Sequence, residues 1–280
     1  MTGLVLTTLL AVSPLQKPPV FEAEVGVVRV EVSVTKDGQP VRALTAEDFE
    51  LQDNGRTQEL RLVLEEQAPV DAVLVLDSSG SVRGAKRTAL RGAAAAFLDG
   101  LRPGEIAALV AFNTEILLLQ DFTADRSRLF DALERTQPSG STALRDAVYA
   151  GLRLRPPSPQ RAVIVVFSDG VDNVSLLTSA EVVEAASHTD GLAYGIGVRQ
   201  EGDPRETFLS EVARATGGRY FVAASHRDLR TRFLDVLADI RSRYVLSYSN
   251  EGVPEPGWHT LTLRLKRKKG DLLARKGYWR

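Results

Sequence analysis

The chain contains no cysteine, so disulfides and thiolate metal sites are excluded, and redox chemistry says nothing about compartment. Histidine is nearly as scarce. His188, His226 and His259 lie far apart in sequence and form no spacing suited to zinc or iron. Neither sign of charge predominates. A formal net charge of -1 points to neither nucleic acid nor a polyanionic surface. No apolar run is long enough to span a bilayer, because the longest, residues 3–12, falls well short of a membrane helix. No Gly-x-Ser-x-Gly nucleophile elbow occurs, and Gly195-Ile196-Gly197 lacks the third glycine of a dinucleotide fingerprint.

What remains is ordinary globular material: 280 residues, 44% hydrophobic and 25% charged, enough for one large domain or two smaller ones. Residues 3–12 are similar to the apolar region of a secretory signal, with Ala11-Val12-Ser13 as a small-x-small cleavage site, although a basic leader is missing. Residues 1–19 are therefore expected to be signal and linker, and the protein to be extracytoplasmic.

From Val25 the pattern becomes β. Val28, Val30, Val32 and Val34 alternate with polar residues, as in a half-buried strand. Thr45 can cap a short helical turn through Phe49. Glu50–Gln52 and Glu59–Leu64 flank Asp53-Asn54-Gly55, a hairpin signal. Between residues 71 and 243 strands alternate with helices. Apolar runs at 72–76 and 162–167 read as buried strands, and 106–112 and 192–198 as further strands. Leu144, Val148 and Leu152, and later Leu229, Phe233, Leu237 and Ile240, mark the apolar faces of helices. This alternation predicts an α/β fold with a doubly wound, mostly parallel sheet. After Arg243 the β pattern returns, with strands expected at 244–248, 260–265 and 272–277. Two incomplete strand sets are marginal alone. The economical arrangement is a small β-sandwich made from residues 20–68 and 244–280, with residues 69–243 inserted between them.

The chemistry concentrates in Asp77-Ser78-Ser79-Gly80-Ser81, directly after the central run Ala72–Leu76. In an open α/β sheet, ligands bind at the carboxyl ends of the strands. Residues 77, 79 and 81 alternate, so one carboxylate and two hydroxyls can converge on a point, and oxygen donors of this kind suit hard cations. Two more oxygen-rich loops fall at the same edge: Pro138-Ser139-Gly140-Ser141-Thr142 and Ser168-Asp169-Gly170-Val171-Asp172-Asn173. Each stretch alone is also good turn or capping chemistry, with Thr142 a candidate N-cap.

Asp77-x-Ser79-x-Ser81, Thr142 and Asp169-Gly170, in that order, resemble the metal-ion-dependent adhesion site (MIDAS) of von Willebrand factor A domains. The resemblance covers roughly residues 69–243 and implies their Rossmann-like fold. The flanks, with Leu44-Thr45-Ala46-Glu47-Asp48-Phe49 and Ala274-Arg275-Lys276-Gly277-Tyr278, are similar to a bacterial branch well represented in Acidobacteria, which implies export. The resemblance further implies that Ser79, Ser81 and Thr142 touch Mg2+ or Mn2+ through hydroxyls, while Asp77 and Asp169 supply charge directly or through water. Asp146 and Asp172 then fall outside the motif. The implied function is a metal-dependent, adhesion-type protein-binding module with no catalytic residues, whose protein partner presents an Asp or Glu to the metal. Two alternatives stand beside it: a structural or secretion-associated subunit with a vestigial site, and a metal-dependent hydrolase.

Overall fold

The computed structural model describes residues 26–64, 69–157, 160–198, 204–250 and 256–280. The signal and linker expected at 1–19 lie outside them. In chain order, β1 is Val27–Lys36, β2 Gln39–Pro40, β3 Phe49–Asp53, β4 Arg56–Thr57, β5 Arg61–Leu64 and β6 Val70–Asp77. Helix α1 (Ala85–Asp99) leads to β7 (Ile106–Phe112), β8 (Ile116–Thr123), α2 (Arg126–Arg135) and α3 (Leu144–Arg153). Then come β9 (Arg161–Ser168), α4 (Ser179–Ser187), β10 (Leu192–Val198), α5 (Pro204–Thr216), β11 (Tyr220–Ala223) and α6 (Leu229–Ile240). Strands β12 (Tyr244–Ser249), β13 (Trp258–Leu265), β14 (Asp271–Ala274) and β15 (Gly277–Trp279) complete the chain.

The central sheet has six strands in the order β11-β10-β9-β6-β7-β8. All neighbours run parallel except β8, which returns antiparallel along β7 as an edge strand. Strand β6 is buried along its whole length because both its faces are covered. Ala72, Leu74 and Leu76 pack under α1, α2 and α6, while Val73 and Val75 pack under α3, α4 and α5. This double covering is why the run shows no polar alternation in sequence. Helix α3 buries Leu144, Val148 and Leu152, the four-residue spacing expected for a single apolar face. Helix α4 starts in a capping box, with Thr178 and Glu181 satisfying each other's backbone N–H groups.

Two further sheets stand apart from the central one. One has the order β14-β1-β12-β5 with β2 on β1, and the other β15-β13-β3-β4. Between them lies a third core built around Val30, Val32, Phe49, Leu51, Tyr244 and Leu246. The strands at both chain ends therefore share sheets: β1 pairs with β12 and β14, and β3 with β13.

Two local expectations need correction. Asn54 and Gly55 both have positive φ, so the hairpin forms as a two-residue turn, but the return strand is only Arg56–Thr57. Residues Arg61–Leu64 cross over and pair with β12 instead. The expected single strand at 272–277 is also two strands. Ala274 pairs with Val32 in one sheet and Gly277 with Thr260 in the other, so the chain changes sheets at Arg275-Lys276. Alternating apolar residues mark strands but do not name their partners.

Candidate metal centre

Because β6 and β9 are parallel neighbours, Asp77 and Ser168 end their strands at the same sheet edge. Three loops meet there, and backbone bonds tie them together. Gly80 N–H donates to the Gly140 carbonyl (3.1 Å), Ser139 N–H to Ser78 (2.9 Å), and Asn173 N–H to Thr142 (3.1 Å). Thr142 N–H also donates to the Asn173 side chain at 2.9 Å.

Asp77 is 2% exposed. Its Oδ1 accepts from Ser79 N–H at 2.8 Å and its Oδ2 from the Ser168 hydroxyl at 2.6 Å. Burial pushes this carboxyl above its ordinary pKa, the Ser168 and Ser79 bonds pull against the rise, and the nearby Asp169 charge adds to it. Ser79 and Ser81 hydroxyls are 2.9 Å apart, and Ser81 donates to Asp169 Oδ1 at 2.8 Å. Burial acts to raise Asp169 too, but bonds from Lys86, Ser81 and His226 outweigh it and hold this carboxyl below its ordinary range.

Thr142 sits beside these groups, in the turn before α3. The N-cap of that helix is Ala143, so the Thr142 hydroxyl is not spent on capping. Gly170 reports how closely the hydroxyls converge. A methyl group built on its Cα would lie 2.7 Å from Thr142 Oγ1, 3.2 Å from Ser81 Oγ and 3.3 Å from Ser79 Oγ. Only a residue with no side chain leaves that cradle open. The structure thus brings together all five expected residues, Asp77, Ser79, Ser81, Thr142 and Asp169. Among the described residues no three His, Cys, Asp or Glu side chains group as a metal cluster, so a cation here would depend on the hydroxyls. Two buried carboxylates and three neutral oxygens around an open cradle fit a hard divalent cation.

Three contributors were not legible beforehand. Ser168 fixes Asp77, and its only sequence signal is its place beside Asp169. His226 Nε2 lies 3.0 Å from Asp169 Oδ2, brought in by the short turn after β11. Lys86, in the first turn of α1, donates to the same oxygen at 2.9 Å. Asp146 and Asp172, expected outside the motif, pin the neighbouring loop. Asp172 accepts from the Arg145 backbone (2.8 Å) and guanidinium (3.0 Å), and Asp146 accepts from the N–H groups of Leu176 and Leu177, both at 2.9 Å. That loop holds Val171, Val174 and Leu176 exposed beside the site.

A family model described as von Willebrand factor type A domain matches residues 72–171. A UPF0353 protein of Mycobacterium avium is 24% identical over 233 residues, spanning 72% of this chain and 68% of that protein. Among solved structures, a von Willebrand factor type A protein from Catenulispora acidiphila aligns with a TM-score of 0.56 at 16% identity, covering 87% of this chain and 74% of that one. Proximal thread matrix protein 1 of the mussel byssus, with a zinc-occupied MIDAS motif, aligns with a TM-score of 0.55 at 18% identity, covering 66% and 49%. At these identities the structural likeness is one of fold. Residues 72–171 match the von Willebrand factor type A family model, and the sheet-and-helix unit of this chain has the fold of von Willebrand factor type A domains.

Proposed function

We propose that this protein is a metal-dependent protein-binding module, in which Asp77, Ser79, Ser81, Thr142 and Asp169 hold Mg2+ or Mn2+ and a partner protein completes the metal's shell with an Asp or Glu. The observation that carries the reading is the convergence of three hydroxyls around Gly170, with Asp169 bonded to one of them and Asp77 held by Ser79 N–H and the Ser168 hydroxyl. A relative of the same fold carries zinc in its corresponding motif, which supports a divalent ion without naming which one. Magnesium takes six ligands and commonly keeps waters. With Asp77 already engaged by Ser79 and Ser168, not all five residues can bind directly, and a position is left for an outside oxygen. A carboxylate gains a charge-assisted contact there that an amide does not. Because that contact alone is modest, the pinned loop exposing Val171, Val174 and Leu176 supplies the surroundings that set specificity.

The site geometry favours binding over hydrolysis. Ser81, Asp169 and His226 are linked, but the carboxylate stands between the hydroxyl and the imidazole. Activating a hydroxyl requires the base to contact it directly. Retained metal binding would speak equally against a vestigial site. We place the protein outside the cytoplasm, on the signal-like character of residues 3–12. Among the described residues no helix is long and apolar enough to cross a membrane.

Capture from an envelope extract of the source organism, in magnesium against chelator, tests the reading. The expected partner binds only with metal, and changing one of its acidic residues near the contact to Asn or Gln removes binding. Capture that survives both chelation and every such change would show the mechanism to be wrong.

We propose as well that residues 20–68 and 244–280 form one domain with residues 69–243 inserted. Deleting 244–280 would strip β1 of both β12 and β14. The expected outcome is fast amide exchange across Val28–Val34 while the central sheet stays protected. Slow exchange persisting in β1 would contradict it.

A further inference from the structure

Both oxygens of Asp169 are already engaged. Oδ1 accepts from Ser81, while Oδ2 accepts from Lys86 Nζ at 2.9 Å and lies 3.0 Å from His226 Nε2. The partners differ in freedom: the Lys86 side chain is 42% exposed and that of Asp169 only 2%. The carboxylate is fixed, whereas the ammonium sits on a flexible stem with solvent open to it.

We infer that Lys86 is a tethered cation that competes with the metal for Asp169, lowering metal affinity and leaving the loaded site with a positive charge for the partner's carboxylate. This rests on the metal reading above and concerns how that same site is tuned. Asp77 and Asp169 bring two negative charges to a divalent ion, which alone would make a neutral centre. With the Lys86 ammonium close by, the loaded centre carries a net positive charge. Like charges at this range oppose metal entry. An anionic partner group meets the same extra charge as attraction. His226, held on the same oxygen, keeps the carboxylate oriented toward Ser81 whether or not Lys86 is present.

The competitor role and a merely structural one differ in the sign of their effect. If Lys86 only shaped the site, removing it would weaken metal binding. As a competitor, Lys86→Met should tighten Mg2+ and Mn2+ binding by about twofold to fivefold, the range for losing one partly exposed charge contact. Lys86→Arg, which keeps the charge, should bind metal as wild type does. Titration calorimetry of full-length wild type and both variants with MgCl2 and with MnCl2 reads this directly. Melting temperatures without metal confirm that each is folded. Tighter binding by Lys86→Met alone supports the proposal, as does binding by Lys86→Met when wild type shows none. Equal or weaker binding by Lys86→Met, beside a wild type that does bind, overturns it and leaves the metal centre standing. No binding by any of the three proteins overturns the metal reading, and this proposal with it.

Discussion

Asp77→Ala is expected to abolish magnesium and manganese binding, with a loss of about a hundredfold or more, the upper end of what removing a group that orients metal ligands costs. Asp77 does two things at once. It brings one of the two negative charges, and through Ser79 N–H and the Ser168 hydroxyl it holds the β6–α1 loop against the end of β9. Alanine removes both. Asp77→Asn separates them: its amide oxygen can still accept from Ser79 N–H, but the charge is gone. If charge dominates, both variants fail to bind. If loop geometry dominates, Asn retains most of the affinity. Calorimetry gives the affinities. Thermal melting provides a second measure, because an ion that binds only the folded protein stabilises it by about 2.7 kcal/mol at a hundred times its Kd. Wild type should melt higher with metal, and Asp77→Ala should not respond. Equal metal binding by wild type and both variants would remove Asp77 from the site.

The second large effect is expected far from the candidate metal site, where the β1 sheet meets the central unit. Arg243 is fully buried. Its Nε donates to Asp239 Oδ2 and to the Tyr194 hydroxyl, both at 3.0 Å. Tyr194 donates to the same carboxylate at 2.7 Å, and Ser33 of β1 donates to its other oxygen at 2.9 Å. One carboxylate on α6 thereby gathers β10, β1 and the entry to β12. Arg243→Met should destabilise the protein by about 3 kcal/mol, the lower end of the cost of removing one partner of a buried ion pair, because Arg219 Nε remains 3.6 Å from the same carboxylate. Urea denaturation would measure it, and a loss below about 1 kcal/mol would show that Arg243 is not the centre of this joint.

Acid provides a check on sign. Burial acts to raise Asp239, but the Arg243 guanidinium and the Tyr194 bond outweigh it, so the carboxyl is held below its ordinary range. A depressed carboxyl contributes stability in full above its unfolded pKa of about 3.9, and that share is lost as pH falls through the lowered folded value. In Arg243→Met the carboxyl loses the guanidinium that lowers it, so this share is smaller and stability should fall less steeply with acid than in wild type.

Much of this architecture was legible because its causes are local. A run such as Ala72–Leu76 with no polar alternation announces a strand covered on both faces, and Leu144, Val148 and Leu152 announce a helix with one apolar face. Once strands and helices alternate, strand ends collect at one edge, and the loops that follow them must meet. Asp77, Ser79, Ser81, Thr142 and Asp169 could therefore be gathered before any coordinates. The turn at Asn54-Gly55 was equally local, since two positive φ angles in succession favour those residues.

Tertiary structure alone decided the rest. Lys86 and His226 reach Asp169 across 83 and 57 residues of chain, and neither carries a mark in sequence that distinguishes it from a solvated side chain. Arg61–Leu64 and the split between β14 and β15 depended on which sheet had an open neighbour, a choice that alternation does not encode. Arg243 reads as an ordinary surface arginine until α6, β10 and β1 close around it. Periodicity is a property of a segment and can be read from that segment. Partners, burial of a charge and the electrostatic balance of a site are properties of contacts between distant segments, and they exist only once the chain has packed.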